Sequence, residues 1–290
     1  MNFVIGVPVW GEWYTKIFLQ ATLPSLNAAL ESISGKARFV IHTDKPESFA
    51  DAKFKGDVEF YPVPIGRELY LTFGNCHREL LELADDGDAI VFMTADIIVS
   101  QECFINSEKR FDEGKRAIII TAARTLATPE ECPIGAKSQD LLAFSFNHLH
   151  PVTGGCYWGA GRNIVTWAVY FKGEHGTVLR AFHLHPMVVL NDRPLYFNRE
   201  TVDLDLLDRF EKNEIHVVTD PTEMSFAEIS GLNKSIPQGQ EICINSVVGW
   251  AKGNTTPIQR WLFSHKILIS GTADDHLDEA PATEILGILG

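Results

Sequence analysis

The sequence predicts an α/β fold with a mostly parallel sheet, flanking helices and an irregular C-terminal half. Short apolar runs rich in β-branched residues alternate with stretches of helical periodicity through residues 1–125, as in a parallel sheet with right-handed crossovers. Apolar residues make up 45% of the 290 and charged residues 22%, which is enough for a sizeable core. No segment rich in Gly, Pro or Ser separates two independent domains, so we expect one domain in two halves.

The predicted elements follow in chain order. Strands are expected at residues 3–9, 38–43, 58–63, 89–94 and 116–122, and helices at 12–32 (kinked at Pro24), 69–84 and 101–111. The second half, residues 126–272, has predicted helices at 138–148, 206–212 and 258–269, and strands at 164–171, 177–190 and 216–219. Residues 273–290 read as an acidic, mobile tail.

Composition and missing motifs exclude several classes of function. The net charge of −13 repels phosphate backbones and therefore disfavours nucleic-acid binding. No apolar run reaches the roughly 18–20 residues that span a bilayer, and no signal peptide is visible at the N-terminus. Five scattered cysteines without a CxxC pair indicate free thiols and a cytoplasmic location. The fingerprints of dinucleotide binding (GxGxxG), P-loops (GxxxxGK[ST]) and α/β-hydrolases (GxSxG) are also missing.

Polar residues follow several predicted strands at the edge where parallel sheets bind ligands. They are Trp10 after the first strand, Thr43 and Asp44 after the second, Thr94 to Asp96 after the fourth, and Arg124 after the fifth. Asp96 follows an apolar strand, where an aspartate often caps the next helix. Because Ser100 is the better cap for that helix, we expect Asp96 to face the cleft, where it suits a hard divalent cation.

Two HLHP quartets supply four of the ten histidines. His183 and His185 lie in a predicted strand, where alternate residues share a face and two imidazoles can bind one metal ion. The plainer alternative is a strand whose histidines bond backbone carbonyls. His148 and His150 end a predicted helix, and we expect them to interact with its dipole and to bind no metal.

Asp203 and Asp205 form a third acidic group, followed by Asp208. On a strand or turn the first two share a face and would supply a base or bind sugar hydroxyls. Equally, the three could cap the predicted helix at 206–212. Both interpretations stay open at the level of sequence.

The chain resembles the GT-A-type nucleotide-sugar glycosyltransferases, and within them a little-known bacterial group. The resemblance lies in the order of WGEWYTKIF, LPSLN, IHTD, MTADIIVS, EGKRAIIITAART, AFHLHPMVV and TVDLD. It implies a GT-A-like fold in which one group of residues lies beside the nucleotide: Pro8, Val9, Trp10, Tyr14, Thr43, Asp44, Thr94 and Ala95. It also implies that Asp96, with His183 or His185, binds a divalent cation (Mn or Mg). Thr94 replaces the first Asp of the family's Asp-x-Asp motif, so catalysis without a metal is an alternative.

The function expected from this resemblance is sugar transfer from a nucleotide-sugar donor to a glycan or small-molecule acceptor. Arg124 would assist the cation at the leaving diphosphate, and Asp203 or Asp205 would contact the acceptor hydroxyl or the donor sugar. One alternative is a metal-dependent hydrolase or oxygenase that uses His183, His185 and a carboxylate. Another is an inactive sugar-nucleotide sensor, which the Thr94 replacement suggests.

Overall fold

The structure is a computed structural model that describes residues 1–63, 68–159, 168–185, 187–231, 241–271 and 279–290. Its strands are β1 (Phe3–Val9), β2 (Ala37–Thr43), β3 (Asp57–Pro62), β4 (Ala89–Phe92), β5 (Ile97–Val99), β6 (Ala117–Ile119), β7 (Ala122–Thr125), β8 (Ala168–Lys172), β9 (Gly176–Ala181), β10 (Met187–Leu190), β11 (Ile215–Val217), β12 (Phe226–Ile229) and β13 (Ile267–Gly271). Its α-helices are α1 (Glu12–Ile17), α2 (Leu23–Ala29), α3 (Leu69–Leu83), α4 (Cys103–Asp112), α5 (Ser138–Asn147), α6 (Pro151–Gly154), α7 (Ile244–Asn254), α8 (Pro257–Phe263) and α9 (Glu279–Leu289).

The central sheet of the described residues has the strand order β11-β6-β10-β4-β1-β2-β3. All neighbours in it pair in parallel except β10, which runs antiparallel to both β4 and β6. The prediction of an α/β fold with a mostly parallel sheet is therefore confirmed. Two strands of this sheet, β10 and β11, come from the second half of the chain, so both halves build one sheet.

Apolar side chains cover both faces of the central sheet. Phe3, Ile5 and Val7 point to one face, where they join a cluster with Phe18 and Phe104. Val4, between them in the sequence, belongs to the cluster on the other face. This alternation along a fully buried strand is what a sheet sandwiched between two layers requires.

The predicted helix over residues 12–32 is one helical stretch with an irregular middle. A π-helical segment, Phe18–Thr22, separates α1 from α2, and a 3-10 turn, Leu30–Ser32, ends the stretch. Pro24 lies in the first turn of α2, where a missing backbone N–H costs least. The irregularity expected at Pro24 is therefore present, in the form of the π-helical segment before it.

Two predicted strands are each divided between two sheets. The run at 116–122 gives β6 in the central sheet, and β7 then follows in a small sheet of order β5-β12-β7. The run at 177–190 gives β9, in a sheet of order β13-β9-β8, and then β10 in the central sheet. The prediction of single long strands was wrong, because a continuous apolar run indicates that a segment is buried but does not indicate which sheet it joins.

Three other expectations of the second half need correction. The helix at 206–212 is a 3-10 segment, Leu206–Arg209. The helix at 258–269 ends early, as α8, and β13 follows it. The prediction of a mobile tail was wrong for residues 279–289, because they form helix α9, which buries Ile285 and Leu289 in an apolar cluster. Residues 164–167 of a predicted strand and 273–278 of the tail lie outside the described residues.

The helices in the described part of the chain are too short or too polar to cross a membrane.

Candidate functional site

The carboxyl ends of the parallel strands meet the start of the antiparallel strand β10 at one edge of the central sheet. Met187, the first residue of β10, pairs with Phe92 at the end of β4 and with Ile119 at the end of β6. The loop before β10, which contains His183 and His185, is therefore carried to the edge where parallel strands present their ligand-binding residues.

A cleft that is partly open to solvent lies at this edge. Side chains from both halves of the chain line it: Thr121, Ala122, Arg124, Val152, Thr153, Cys156, Ala168, Tyr170, His183, Leu184, His185 and Glu228. Three of the residues predicted from the sequence, Arg124, His183 and His185, thus share one cavity.

Arg124 and Glu228 form a two-point ion pair in the cleft. They are opposite each other in the β7–β12 register, and Arg124 Nε lies 2.9 Å from Glu228 Oε1 and Nη2 3.3 Å from Oε2. Ser230 Oγ donates a further hydrogen bond of 2.9 Å to Oε1. The Glu228 side chain is only 10% exposed, so its charge is stabilised by these partners and little by water.

The electrostatics of the cleft fix Arg124 as a cation. Burial lowers the pKa of Arg124, but the charge of Glu228 and its hydrogen bonds outweigh burial and hold that pKa above the ordinary value, with a further contribution from Asp96. Asp96 therefore lies within electrostatic range of the guanidinium. The backbone supports this placement, because Ile229 N, next to Glu228, donates to Asp96 O at 2.8 Å.

Glu228 was missed at the level of sequence. Its signal was a lone carboxylate inside the apolar run SFAEIS, since a glutamate in a buried strand needs a charged or hydrogen-bonding partner.

Asp96 lies between β4 and β5 and is buried. Thr94 Oγ1 donates to its Oδ1 at 2.6 Å, so the Thr94 hydroxyl orients the Asp96 carboxylate. As predicted, Asp96 does not cap the next helix. The predicted cap at Ser100 was wrong, however, because α4 begins after Glu102 without a side-chain cap and Ser100 Oγ instead accepts from Ser225 N at 3.2 Å.

The predicted nucleotide-binding residues form the neighbouring part of the edge. Pro8 and Val9 are buried within β1, and Ala95 beside Asp96 is buried as well. The Trp10 ring packs against Phe73, with centroids 4.7 Å apart. Thr43 is buried at the end of β2, whereas Tyr14 in α1 is 37% exposed.

Asp44 ties the first two strand ends together, because its Oδ1 accepts a hydrogen bond of 3.4 Å from Gly11 N. That these residues bind a nucleotide stays a prediction.

His183 contacts Asp203. Its Nδ1 lies 3.5 Å from Asp203 Oδ2, and Gln259 Nε2 approaches the same nitrogen while donating to Asp203 O at 3.1 Å. Burial raises the pKa of Asp203, but the hydrogen bond with His183 and the charge of His185 outweigh it, so this pKa lies well below its ordinary range. Asp203 is therefore a carboxylate at neutral pH.

Asp205 is engaged by the backbone. Its two carboxylate oxygens accept hydrogen bonds from Asn198 N at 2.8 Å and Arg199 N at 3.2 Å. Asp203 lies in a 3-10 turn, Val202–Leu204, and so the strand on which the two aspartates would share a face is not formed. Of the two, Asp203 contacts His183, which lines the cleft, whereas the hydrogen bonds of Asp205 go to the backbone.

The prediction that His183 and His185 share one face of a strand was also wrong. Strand β9 ends at Ala181 and β10 begins at Met187, so both histidines lie between strands. Within the described residues no three His, Cys, Asp or Glu side chains come together as a ready-made metal site. The cation site at Asp96, His183 and His185 therefore stays a prediction.

The first HLHP quartet joins two helix ends. His148 Nδ1 bonds the carbonyl of Phe144 at the end of α5, at 2.9 Å, and His150 Nδ1 accepts from Val152 N at the start of α6. The interaction expected for His148 at a helix C-terminus is present.

Comparisons with known proteins give similarity in structure alone. No protein-family model matches the sequence, and no curated protein does. The chain is similar to S. aureus TarS in complex with UDP, at 15% identity and a TM-score of 0.33, over 44% of this chain and 37% of that one. It is also similar to TarS in complex with UDP-GlcNAc, at 13% identity and a TM-score of 0.47, over 99% of this chain and 72% of that one.

The chain thus spans little more than a third of the length of the first of these structures. TarS is a glycosyltransferase. Identities and TM-scores at this level carry no conclusion about the activity of this chain, so the proposal rests on its own residues.

Proposed function

We propose that the chain is a GT-A-like glycosyltransferase that moves a sugar from a nucleotide-sugar donor to an acceptor hydroxyl. The observation that carries the proposal is the meeting of two sets of residues at one sheet edge. One set follows β1, β2 and β4 and includes Trp10, Asp44 and Asp96. The other, Arg124 and His185, lines the cleft where β10 begins. A donor with its nucleotide on the first set would place its diphosphate and sugar towards the second.

The transfer needs charge stabilisation at the leaving group. The acceptor oxygen bonds to the anomeric carbon, the bond from that carbon to the diphosphate breaks, and its electron pair leaves with the diphosphate. The acceptor proton passes to a base. Arg124, kept cationic in the cleft, would stabilise the diphosphate charge as it develops. Asp203, kept as a carboxylate, would hold the acceptor hydroxyl or a hydroxyl of the donor sugar.

The residues fit a divalent cation that is bound mainly through the substrate. Magnesium is usually held by one or two carboxylates together with substrate phosphates, without a cage built by the protein alone. Asp96, oriented by Thr94, and His185 would hold the ion, which would neutralise part of the diphosphate charge. This arrangement agrees with the lack of a three-ligand group in the described part of the chain.

The alternative, a hydrolase or oxygenase with a tightly bound iron or zinc, receives less support. It needs His183, His185 and a carboxylate as preformed ligands, and the described residues include no such group. An inactive sensor would use the same edge and would bind nucleotide-sugars without turnover, so a turnover measurement separates it from the transferase.

A cytoplasmic location is part of the proposal. All five cysteines are free thiols, as is usual in a reducing compartment.

A thermal-shift screen with UDP-, GDP-, CMP- and dTDP-sugars, each with and without manganese, tests the proposal. A donor present at 100 times its Kd stabilises the folded state by about 2.7 kcal/mol, which gives a measurable rise in Tm. We expect one nucleotide series to raise the Tm and manganese to increase the shift. A chain that none of the four series stabilises, with or without manganese, would contradict the proposal.

A further inference from the structure

We propose that the acceptor taken by the cleft is an uncharged sugar or polyol and that acceptors bearing phosphate or carboxylate are rejected. The inference rests on the proposed function and names the class of acceptor for the same site. It is based on the ion pair that occupies the cleft and on the hydroxyl groups around it.

The charge available to an anionic acceptor is already engaged. Among the described residues that line the cleft, Arg124 is the one lysine or arginine. Two of its N–H groups are directed at Glu228, at 2.9 and 3.3 Å. Arginine has five N–H donors, and in the proposed function those that remain bind the donor diphosphate. An anionic acceptor would therefore have to displace the buried carboxylate of Glu228 from its hydrogen-bonded partner, and such pairs are costly to separate.

The neighbouring charges act in the same direction. Asp96 lies within electrostatic range of Arg124, and Asp203 lies 3.5 Å from His183, which lines the cleft. The guanidinium of Arg124 is thus paired with Glu228 and lies within electrostatic range of Asp96, and a third carboxylate, that of Asp203, contacts His183. The divalent cation of the proposed function would be engaged by the donor diphosphate, so it does not supply charge for a second anion. In a half-buried site these fields are weakly screened, and like charges there lower affinity.

The rest of the lining suits hydroxyl groups. Thr121, Thr153 and Tyr170 bring hydroxyls to the cleft, and Val152, Ala168 and Leu184 give it apolar walls. A sugar presents polar edges and apolar ring faces, so both kinds of surface find partners. The Arg–Glu pair offers donors and an acceptor side by side, which matches the paired hydroxyls of a sugar ring.

Binding measurements with matched ligands test the inference. The wild-type chain is titrated at pH 8 with glucose, galactose and methyl glucoside. The same titration is run with their charged counterparts, glucose 6-phosphate, galactose 6-phosphate and methyl glucuronide. Saturation-transfer NMR detects weak binding and needs no turnover. We expect at least one neutral sugar to bind at least tenfold more tightly than its charged counterpart.

The variant Glu228→Gln sharpens the test because it removes one negative charge and keeps the size of the side chain. We expect it to shift the ratio of charged to neutral binding by about tenfold in favour of the charged sugar, the size of one unscreened like-charge contact. Glu31→Gln is the matched control, since the Glu31 side chain is 68% exposed and pairs at the surface with Lys55. That variant should leave the ratio unchanged. Because the readout is a ratio, partial loss of folded protein does not alter it.

Equal or tighter binding of the charged sugars by the wild-type chain would overturn the inference, and so would a lack of saturable binding by any neutral sugar. Should Glu228→Gln fail to fold, the wild-type ratio alone decides. The nucleotide-sugar screen is a separate measurement of donor binding, so failure of the proposed function and failure of this inference are distinguishable.

Discussion

Single residues decide the chemistry of the cleft through the partners that the fold gives them. Arg124 and Asp96 were predicted from the ends of strands, because position at a strand end is readable from an apolar run and its last residue. Their partners were not. Glu228 lies 104 residues after Arg124 and meets it through the register of β7 and β12. Asp203 and Asp205 looked equivalent in the sequence, and only the backbone turn between them separates their roles.

The two aspartates lead to the first prediction. Asp205→Ala removes the acceptor of two backbone N–H groups, at Asn198 and Arg199. Leaving such groups without partners costs roughly 1–3 kcal/mol of the free energy of unfolding. Urea denaturation should show this loss, while turnover per folded molecule stays close to wild type.

Asp203→Asn is the matched variant and should behave in the opposite way. It should reduce turnover by at least about tenfold, as expected for a group at the reacting hydroxyls. A catalytic loss for Asp205→Ala that equals or exceeds the loss for Asp203→Asn would show that the assignment of the two residues is reversed.

At the scale of elements, most strands and helices of the first half were predicted correctly from the sequence, and several of the second half were not. β1 to β4 are bounded by turn residues and each lies in one sheet, so periodicity and length identify them. The runs that became β6–β7 and β9–β10 pass from one sheet to another without a turn signal. In the predicted helix at 258–269, the run KILIS has β-branched residues that favour β13.

The helix α9 replaces a predicted tail and gives a second prediction. Ile285 is fully buried and Ile288, on the same helix, is 46% exposed. Ile285→Ala should lower the free energy of unfolding by roughly 2–4 kcal/mol, because it leaves a cavity in a packed cluster. Ile288→Ala should change it by less than about 0.5 kcal/mol. Urea denaturation of both variants measures the difference, and similar small effects would mean that α9 is not docked on the core.

The contacts of Glu223 with His216 and Arg110 connect three elements and give a third prediction, on the pH dependence of stability. Glu223, before β12, accepts from His216 of β11 at 2.9 Å and from Arg110 of α4 at 2.7 Å. Burial raises the pKa of Glu223, but hydrogen bonds with His216 and Arg110 outweigh it and lower that pKa to about 2. Since the pKa of Glu223 in the folded state lies below the unfolded value of roughly 4.3, the ionised side chain stabilises the fold at pH values above 4.3. The contribution is lost as pH falls towards 2.

The matched measurement compares wild type with Glu223→Gln at pH 7, 4.5 and 3. The stability difference between the two should be largest at pH 7 and should shrink by an amount on the order of 1–3 kcal/mol as the pH falls to 3. A difference that is constant over this range would show that the charge of Glu223 does not contribute.

For the whole molecule, the sequence predicted the fold class and the edge of the sheet at which chemistry is expected. It did not predict that the second half would return two strands, β10 and β11, to the central sheet. This return is non-local, and it is the reason that His185 and Arg124 reach the edge that carries Asp96. The net charge of −13 makes Arg124 important, because in an acidic chain an anionic donor needs a local cation.

The central claim is that this edge transfers sugar with Asp96 at the reacting diphosphate, and turnover of a nucleotide-sugar by Asp96→Ala tests it most directly. The control is Asp86→Ala, an exposed aspartate in the turn before β4, at the opposite edge of the sheet. With the donor found by the thermal-shift screen, we expect hydrolysis or transfer to fall about 100-fold or more in Asp96→Ala, as for loss of an electrostatic stabiliser. Asp86→Ala should keep wild-type turnover. Unchanged turnover in Asp96→Ala would remove this residue from the mechanism and contradict the account.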